Sequence, residues 1–461
     1  MLSGCASLGS PPAVPVAALA NPATQTQWLQ AAGQAGTAVD EAELAEWWRR
    51  FDDPQLAQLV IEALKRNTDL QMARATLRAA QAARAATEAG SQPQATAQAN
   101  ASRNRSGGQT ANNLQLSFSA SWEPDWWGAQ AAGLSAADAD VAQAQADGAA
   151  TRTALAAEVA LAYVQWRDAQ ARAEIARDSL NSLAQTRQLT EWRRQSGLAS
   201  GLDAEQAQLS LAQSQASLPA LAAEIGLYLN QLALLTGSTP LALSARLMPE
   251  GAVPQAPAAL AQLNVGVPTD LLRRRPDVRA AEAALQAQWA RKEQTRRQGW
   301  PSLALSGSLG LQAATLSALS GGGSGVAALA AGISGSLWDG GQRQALVEQQ
   351  DATLLACVAA YEGTVLSAVK DVEDALLALR SSQQREAALA QAAQSAERVL
   401  LLSRQQQASG LIDLRTLLTA ERDTLTALTN LQSGRSDLSL NLIRLFKALG
   451  GGWTDGTTAS L

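Results

Sequence analysis

An internal duplication constrains this chain more than any other feature, because the architecture that suits one half must suit the other. The segment NTDLQMARATLRA at Asn67–Ala79 aligns with RPDVRAAEAALQA at Arg275–Ala287. Asp69, Ala73, Ala75, Leu77 and Ala79 meet Asp277, Ala281, Ala283, Leu285 and Ala287, and at the same offset Pro93 meets Pro301. Further on, Trp126, Gly128 and Gln130 match Trp338, Gly340 and Gln342, and Ser196-Gly197-Leu198 matches Ser409-Gly410-Leu411. Single identities are cheap in an alanine-rich chain, but a common order is not. The reading is a remnant at 1–5, a linker at 6–45, a first repeat at 46–240, an inter-repeat segment at 241–268, a second repeat at 269–453 and a tail at 454–461.

Each repeat reads as helix, strand, strand, very long helix, tight tip and return helix, an α+β pattern. Asp53-Pro54 places a cap before a proline at the first helical position, and Thr68-Asp69-Leu70-Gln71 has the spacing of a capping box. Pro93 and Pro301 end the first helix of each repeat. Strict alternation follows. Leu114, Leu116, Phe118, Ala120 and Trp122 interleave with Asn113, Gln115, Ser117, Ser119 and Ser121. Ala95 to Ala101 alternate with Gln94 to Ser102, and two comparable runs lie at 302–312 and 326–338. The expected strands are therefore about 93–104, 113–123, 302–312 and 326–338.

Runs of about 10 residues with one apolar and one polar face suit tilted transmembrane strands. A periplasmic sandwich with one wet face would alternate too. The membrane reading is favoured by Trp122, Trp126, Trp127, Trp300 and Trp338, which gather at one end of the strands as an interfacial aromatic girdle would. No uninterrupted apolar run reaches the roughly 20 residues of a spanning helix. Membrane barrels need about 8 strands at least, and an open edge in lipid leaves unpaired backbone groups. Four strands must therefore share a barrel with further copies of the chain.

The long helices carry a seam. Leu155, Ala162, Ala169, Ala176 and Leu183 recur every seventh residue, with Val159, Trp166, Ala173 and Leu180 at the second seam position. This is coiled-coil spacing with alanines that permit close approach. From Ala129 to Ser196 the helix would extend roughly 100 Å, and Gln342 to Ser409 repeats it, with return helices at 203–235 and 413–449.

Composition removes other classes. The 461 residues include no histidine, the commonest general base, and the net charge of −5 offers no basic footprint for nucleic acid. The two cysteines, Cys5 and Cys357, cannot form a disulfide framework or a CxxC metal site. No catalytic, cofactor or metal constellation emerges. Leu2-Ser3-Gly4-Cys5 matches the end of a bacterial lipoprotein signal, which makes Cys5 the candidate lipidated residue. The Pro/Ala-rich stretch from Ser10 to Ala23 then serves as a tether.

Four stretches resemble the TolC-like outer-membrane factors of tripartite efflux systems, in their NodT-type lipoprotein branch. They are Trp47–Leu56 (WWRRFDDPQL), Val267–Val278 (VPTDLLRRRPDV), Leu337–Gly341 (LWDGG) and Leu445–Trp453 (LFKALGGGW). The resemblance implies a homotrimer with a 12-stranded β-barrel in the outer membrane, continued by a long periplasmic α-helical barrel. It implies partners as well: a periplasmic adaptor, an inner-membrane transporter and outer-membrane lipid, but no nucleic acid. The duct would be passive, an exit for drugs, toxic compounds or metals, without cofactor. By the same resemblance Arg415, Thr419 and Arg422 line the periplasmic aperture, with Asp203 from the first repeat's tip. Two departures stand out there. Thr419 occupies the place of a usual aspartate, and Ile412 that of an arginine some members pair with the Asp203 equivalent. Arg415 and Arg422 could also form an ordinary solvated helix face.

Other readings predict different sequences. A lipid-anchored trimeric coiled-coil surface protein would share the heptads but not the duplicated strand pairs. A periplasmic enzyme would need a catalytic constellation. A duct for protein or peptide secretion would use the same channel architecture.

Overall fold

The computed structural model describes residue 29 and residues 44–247 and 274–453. Cys5, the remnant at 1–5, the tail at 454–461 and most of the linker and inter-repeat segments lie outside these. A short 3-10 turn (Trp47–Phe51) leads into α1 (Pro54–Arg66) and α2 (Thr68–Gly90), then β1 (Gln94–Ser106) and β2 (Gln109–Trp122). Next come α3 (Ala129–Gln195), α4 (Gly201–Leu235), the short α5 (Pro240–Ser244) and α6 (Pro276–Arg297). β3 (Ser302–Ala313), β4 (Gly325–Ser334), α7 (Gln342–Ala408) and α8 (Leu414–Ala448) complete the order. The duplication is metrically close: α3 and α7 both have 67 residues, and α4 and α8 both have 35.

The described residues form two compact units, and each takes pieces from both repeats. One contains 75–147 and 277–364. Its sheet is antiparallel in the order β1-β2-β3-β4. The register gathers apolar side chains on one face. Ala97 pairs with Phe118 and Phe118 with Leu309, Ala99 with Leu116 and Leu116 with Leu311, and Leu303 with Ile333. Gln98, Ser117 and Gly310 form one row of the opposite face. Beside the sheet, α6 is tied to α3 by Arg291–Asp140 at 2.6 Å and to α7 by Lys292–Asp351 at 2.5 Å.

The other unit holds the main core in residues 44–74, 148–247, 274–276 and 365–453. Trp47, Trp48 and Phe51 are buried against α1, α3 and α8, and Trp47 stacks on Phe446 at 5.3 Å and 14°. Asp53 caps α1 by accepting from the Gln55 and Leu56 amides, and its other oxygen accepts from the Tyr163 hydroxyl at 3.0 Å. The Arg275 guanidinium donates to the Ala448 carbonyl at 3.0 Å and to Asp371 at 3.0 Å. Gly451 then passes so close to Trp47 and to the Leu44 and Phe446 carbonyls that a Cβ would lie within 2.9–3.0 Å of each. These contacts give structural reasons for the Trp-Trp, Arg-Pro-Asp and Gly-Gly-Gly signatures. The seam is also observed: Leu155, Val159, Ala162, Trp166, Ala169, Ala173, Ala176 and Leu183 are all buried.

Several details differ from expectation. The α2 cap is Asn67, whose side-chain oxygen accepts from the Asp69 and Leu70 amides, while Gln71 donates to the Arg66 carbonyl. Thr68 is inside the helix, so the cap lies one residue earlier than expected and the expected box between Thr68 and Gln71 does not form. The first two strands close at Gly107-Gly108, with φ of 60° and 87°. This two-residue turn demands positive φ and suits glycine, and it replaces the longer loop expected at 105–112. β4 stops at Ser334 rather than 338, because its last partner is Ser302 and the preceding Pro301 has no amide hydrogen to extend the ladder. Leu44 and Ala45, assigned to the linker, are buried. Finally, α4 and α7 each contain 18 residues apolar enough for a membrane span by length and composition, against the expectation of no such run. Only 17% of each stretch is buried within the chain, and α4 also holds Glu224, paired with Arg172 at 2.7 Å.

Candidate functional site

The tips of the long helix pairs are two copies of one motif. α3 ends in Gly197 (φ 74°), where the Leu198 amide reaches the Arg193 carbonyl at 2.7 Å. α7 ends in Gly410 (φ 71°), where the Leu411 amide reaches the Gln406 carbonyl at 2.8 Å. Both are Schellman closures, in which glycine takes the left-handed conformation that other residues resist. The return helices then start on caps. Ser200 and Asp203 form a reciprocal capping box on α4, and Asp413 caps α8 by accepting from the Thr416 amide and hydroxyl. The Thr416 bonds hold the Asp413 carboxyl below its ordinary range, so it stays charged.

Past the second tip, α8 has two distinct faces. Leu414, Leu417 and Leu418 are buried with Leu183, Ala207 and Leu211. Arg415, Thr419 and Arg422 are exposed, and their spacing of four and three residues places them along one stripe. The Thr419 hydroxyl donates back to the Arg415 carbonyl at 2.9 Å. Among the described residues Arg422 has one acidic partner, the exposed Asp423, at 3.7 Å. The structure thus groups three of the four expected aperture residues. Asp203 is in the first turn of α4. Its carboxylate accepts from the Ser200 amide and hydroxyl at 2.9 and 2.8 Å, so it is engaged in its own cap.

Glu421, beside Arg422 in sequence, points inward at 3% exposure and accepts from Ser182 at 2.8 Å and Thr186 at 3.2 Å, with Arg404 at 3.5 Å. It joins α8 to α3 and α7 just behind the stripe and so sets the rotation at which Arg415, Thr419 and Arg422 are presented. Sequence reasoning missed this role. The only available signal was the position of Glu421 between Leu417, Leu418 and Thr424 on the buried side of the helix.

The expected girdle also lies where strands and helices meet. Trp122 ends β2 and donates to the Ser91 carbonyl at 3.1 Å. Trp127 donates to the Pro301 carbonyl at 2.6 Å and stacks on Trp300 at 5.3 Å. Trp126 and Trp338 are well exposed. Indoles anchored on one side and open on the other suit a water–lipid boundary.

A family model described as outer membrane efflux protein matches residues 59–238 and 267–451, one span in each repeat. The chain belongs to the outer membrane efflux protein family. It is 31% identical to the outer membrane protein OprJ of Pseudomonas aeruginosa over 456 residues, covering 96% of this chain and 92% of that one. It is 29% identical to the toluene efflux pump outer membrane protein TtgF of Pseudomonas putida over 423 residues, or 90% and 86% of the two chains. Among solved structures it is similar to the outer-membrane channel OprN, with a TM-score of 0.85 and 30% identity over 93% of this chain and 96% of that one. It is also similar to the outer membrane protein VceC of Vibrio cholerae, with a TM-score of 0.82 and 27% identity over 89% and 99%.

This outer membrane efflux protein is therefore an outer-membrane channel subunit of an efflux system, with the trimeric barrel-and-tunnel fold of such channels. The open edges of its sheet follow from that. Among the described residues β1 and β4 each lack a partner on one side, and neighbouring copies supply it when three sheets close the barrel. The apolar face of the sheet meets lipid, and the polar face lines the lumen.

Proposed function

We propose that the protein is a passive exit duct for small organic compounds whose inner end is constricted by the Arg415–Thr419–Arg422 stripe. A periplasmic adaptor and an inner-membrane transporter would open and supply it. The single observation that carries this reading is the two-faced start of α8, with leucines buried on one side and the three polar side chains exposed on the other. The names of relatives, which include toluene, solvent and antibiotic efflux pumps, support an organic cargo. The duct itself would bind no cofactor and catalyse no reaction.

Three copies of the stripe would place six arginines around the opening with no facing aspartate at position 419, and rings of like charge set ion selectivity. In planar bilayers under a salt gradient, Thr419→Asp is expected to shift the reversal potential toward cations. Arg422→Ala is expected to raise conductance several-fold. Wild-type reversal potential and conductance in both variants would remove these residues from the aperture.

We also infer that Cys5 carries the lipid anchor, a reading supported by Leu2-Ser3-Gly4-Cys5 alone. Behind a complete signal sequence, the protein should incorporate labelled palmitate and Cys5→Ser should lose all of it. The variant should still assemble in the outer membrane, because the barrel is held there by its own apolar face. Equal labelling of the two proteins would show that the anchor is elsewhere.

A further inference from the structure

The sheet is almost free of charge. Between Pro93 and Trp122, and again between Trp300 and Trp338, the only charged side chains are Arg103 and Arg105. Their placement is specific. Side chains alternate along a strand, so Arg103 and Arg105 share the face of Ala95, Ala97, Ala99 and Ala101, while Ser102, Asn104 and Ser106 take the opposite one. The register agrees: Arg103 pairs with Asn112 and Arg105 with Thr110, in continuation of the row Ala101–Leu114, Ala99–Leu116 and Ala97–Phe118. Both arginines are exposed, and among the described residues neither has an ion-pair partner. They are on the lipid side, not in the lumen.

Their height is as informative as their face. Arg103 and Arg105 are nine and eleven residues beyond Gln94, which sits at the tryptophan end of β1. At about 3.4 Å per residue and a tilt of about 40°, they rise roughly 23 and 29 Å above that end, against an apolar band about 25 Å tall. The pair therefore marks the outer rim of the band, where a long cation can reach headgroups while its stem covers apolar surface. The tryptophans and helices occupy the other, periplasmic rim.

We propose that Arg103 and Arg105 form a lipid-headgroup site that binds the phosphate of a phosphorylated glycolipid in the outer leaflet, three times around the trimer. Charge complementarity and continuity with the lipid-facing band identify the occupant: an anchored phosphate is held at this height by its own acyl chains. Guanidinium groups bind phosphate through paired N–H donors, with Asn112 and Thr110 beside them on β2 as further polar groups. The inference rests on the membrane orientation of the sheet, not on the aperture.

The test uses the purified trimer in phosphatidylcholine nanodiscs, supplied with diphosphoryl lipid A or with the same glycolipid after removal of its phosphates. Retained glycolipid is counted by native mass spectrometry. A surface arginine near anionic lipid is worth about a fivefold preference, so the wild type should retain at least fivefold more of the phosphorylated form. Arg103→Ala/Arg105→Ala should reduce that ratio to near one, and Arg103→Lys/Arg105→Lys should keep a substantial part of it. Inorganic phosphate at millimolar concentration should not displace the lipid. Equal retention of the two glycolipids by the wild type, an unchanged ratio in the double alanine variant, or full displacement by free phosphate would each overturn the proposal. Should the alanine variant fail to form trimers, the wild-type comparison still decides. Bilayer conductance, recorded in parallel, separates this result from any failure at the aperture.

Discussion

Trp47→Ala is expected to be the most damaging single substitution in the helical unit, with a loss of about 3–5 kcal/mol per subunit. The side chain is fully buried, stacks on Phe446, and lies edge-on to Trp48 and Phe51. It also fills the space beneath Gly451. Alanine would leave a cavity bounded by rigid backbone, where collapse is hindered. Its indole nitrogen is buried and has no hydrogen-bond partner among the described residues. Trp47→Phe therefore abandons no bond and should cost much less than alanine. The measurement is the denaturant midpoint for loss of helical circular dichroism in detergent, compared at equal trimer concentration. A Trp47→Ala midpoint equal to wild type would show that the aromatic cluster does not hold the two chain ends together.

Gly310→Ala should prevent or severely weaken barrel assembly. Gly310 stands opposite Ser117 in the β2–β3 ladder, and a Cβ there would approach the Leu116 carbonyl oxygen to 2.6 Å and the Ser117 Cα to 3.1 Å. Those atoms are backbone, so no rotamer relieves the clash. Overpacking of this kind costs about 1–3 kcal/mol or more per site, and the trimer contains three such sites. Gly307→Ala, on the same interior strand, is the matched control, since its added Cβ meets only ordinary contacts at 3.6 Å and beyond. Trimer yield in isolated outer membranes, scored by mobility without heating, should fall sharply for Gly310→Ala and remain near wild type for Gly307→Ala. Equal yields would mean that the strands accommodate the methyl by shifting.

Much of this architecture is determined by local pattern. Duplication predicts matching elements, alternation predicts strands, and heptad spacing predicts the seam, because each depends on periods that a linear chain displays directly. The need for further copies was also legible, since four apolar-faced strands cannot satisfy their own edges in lipid. Asp53-Pro54 announces its helix for the same local reason.

What depends on a remote partner was not legible. Glu421 resembles any charged residue of a solvated helix until α8 is placed against Ser182 and Arg404. The clearance at Gly310 exists only because the register sets it opposite Ser117. The outward face of Arg103 and Arg105 follows from strand parity, which the sequence contains. Their isolation from any carboxylate of the sheet is legible as well, because none of the four strands contains an acidic residue. Periodicity is a property of neighbours along the chain and is therefore determined by sequence. Burial, pairing and clearance belong to neighbours in space, and only the tertiary structure decides them.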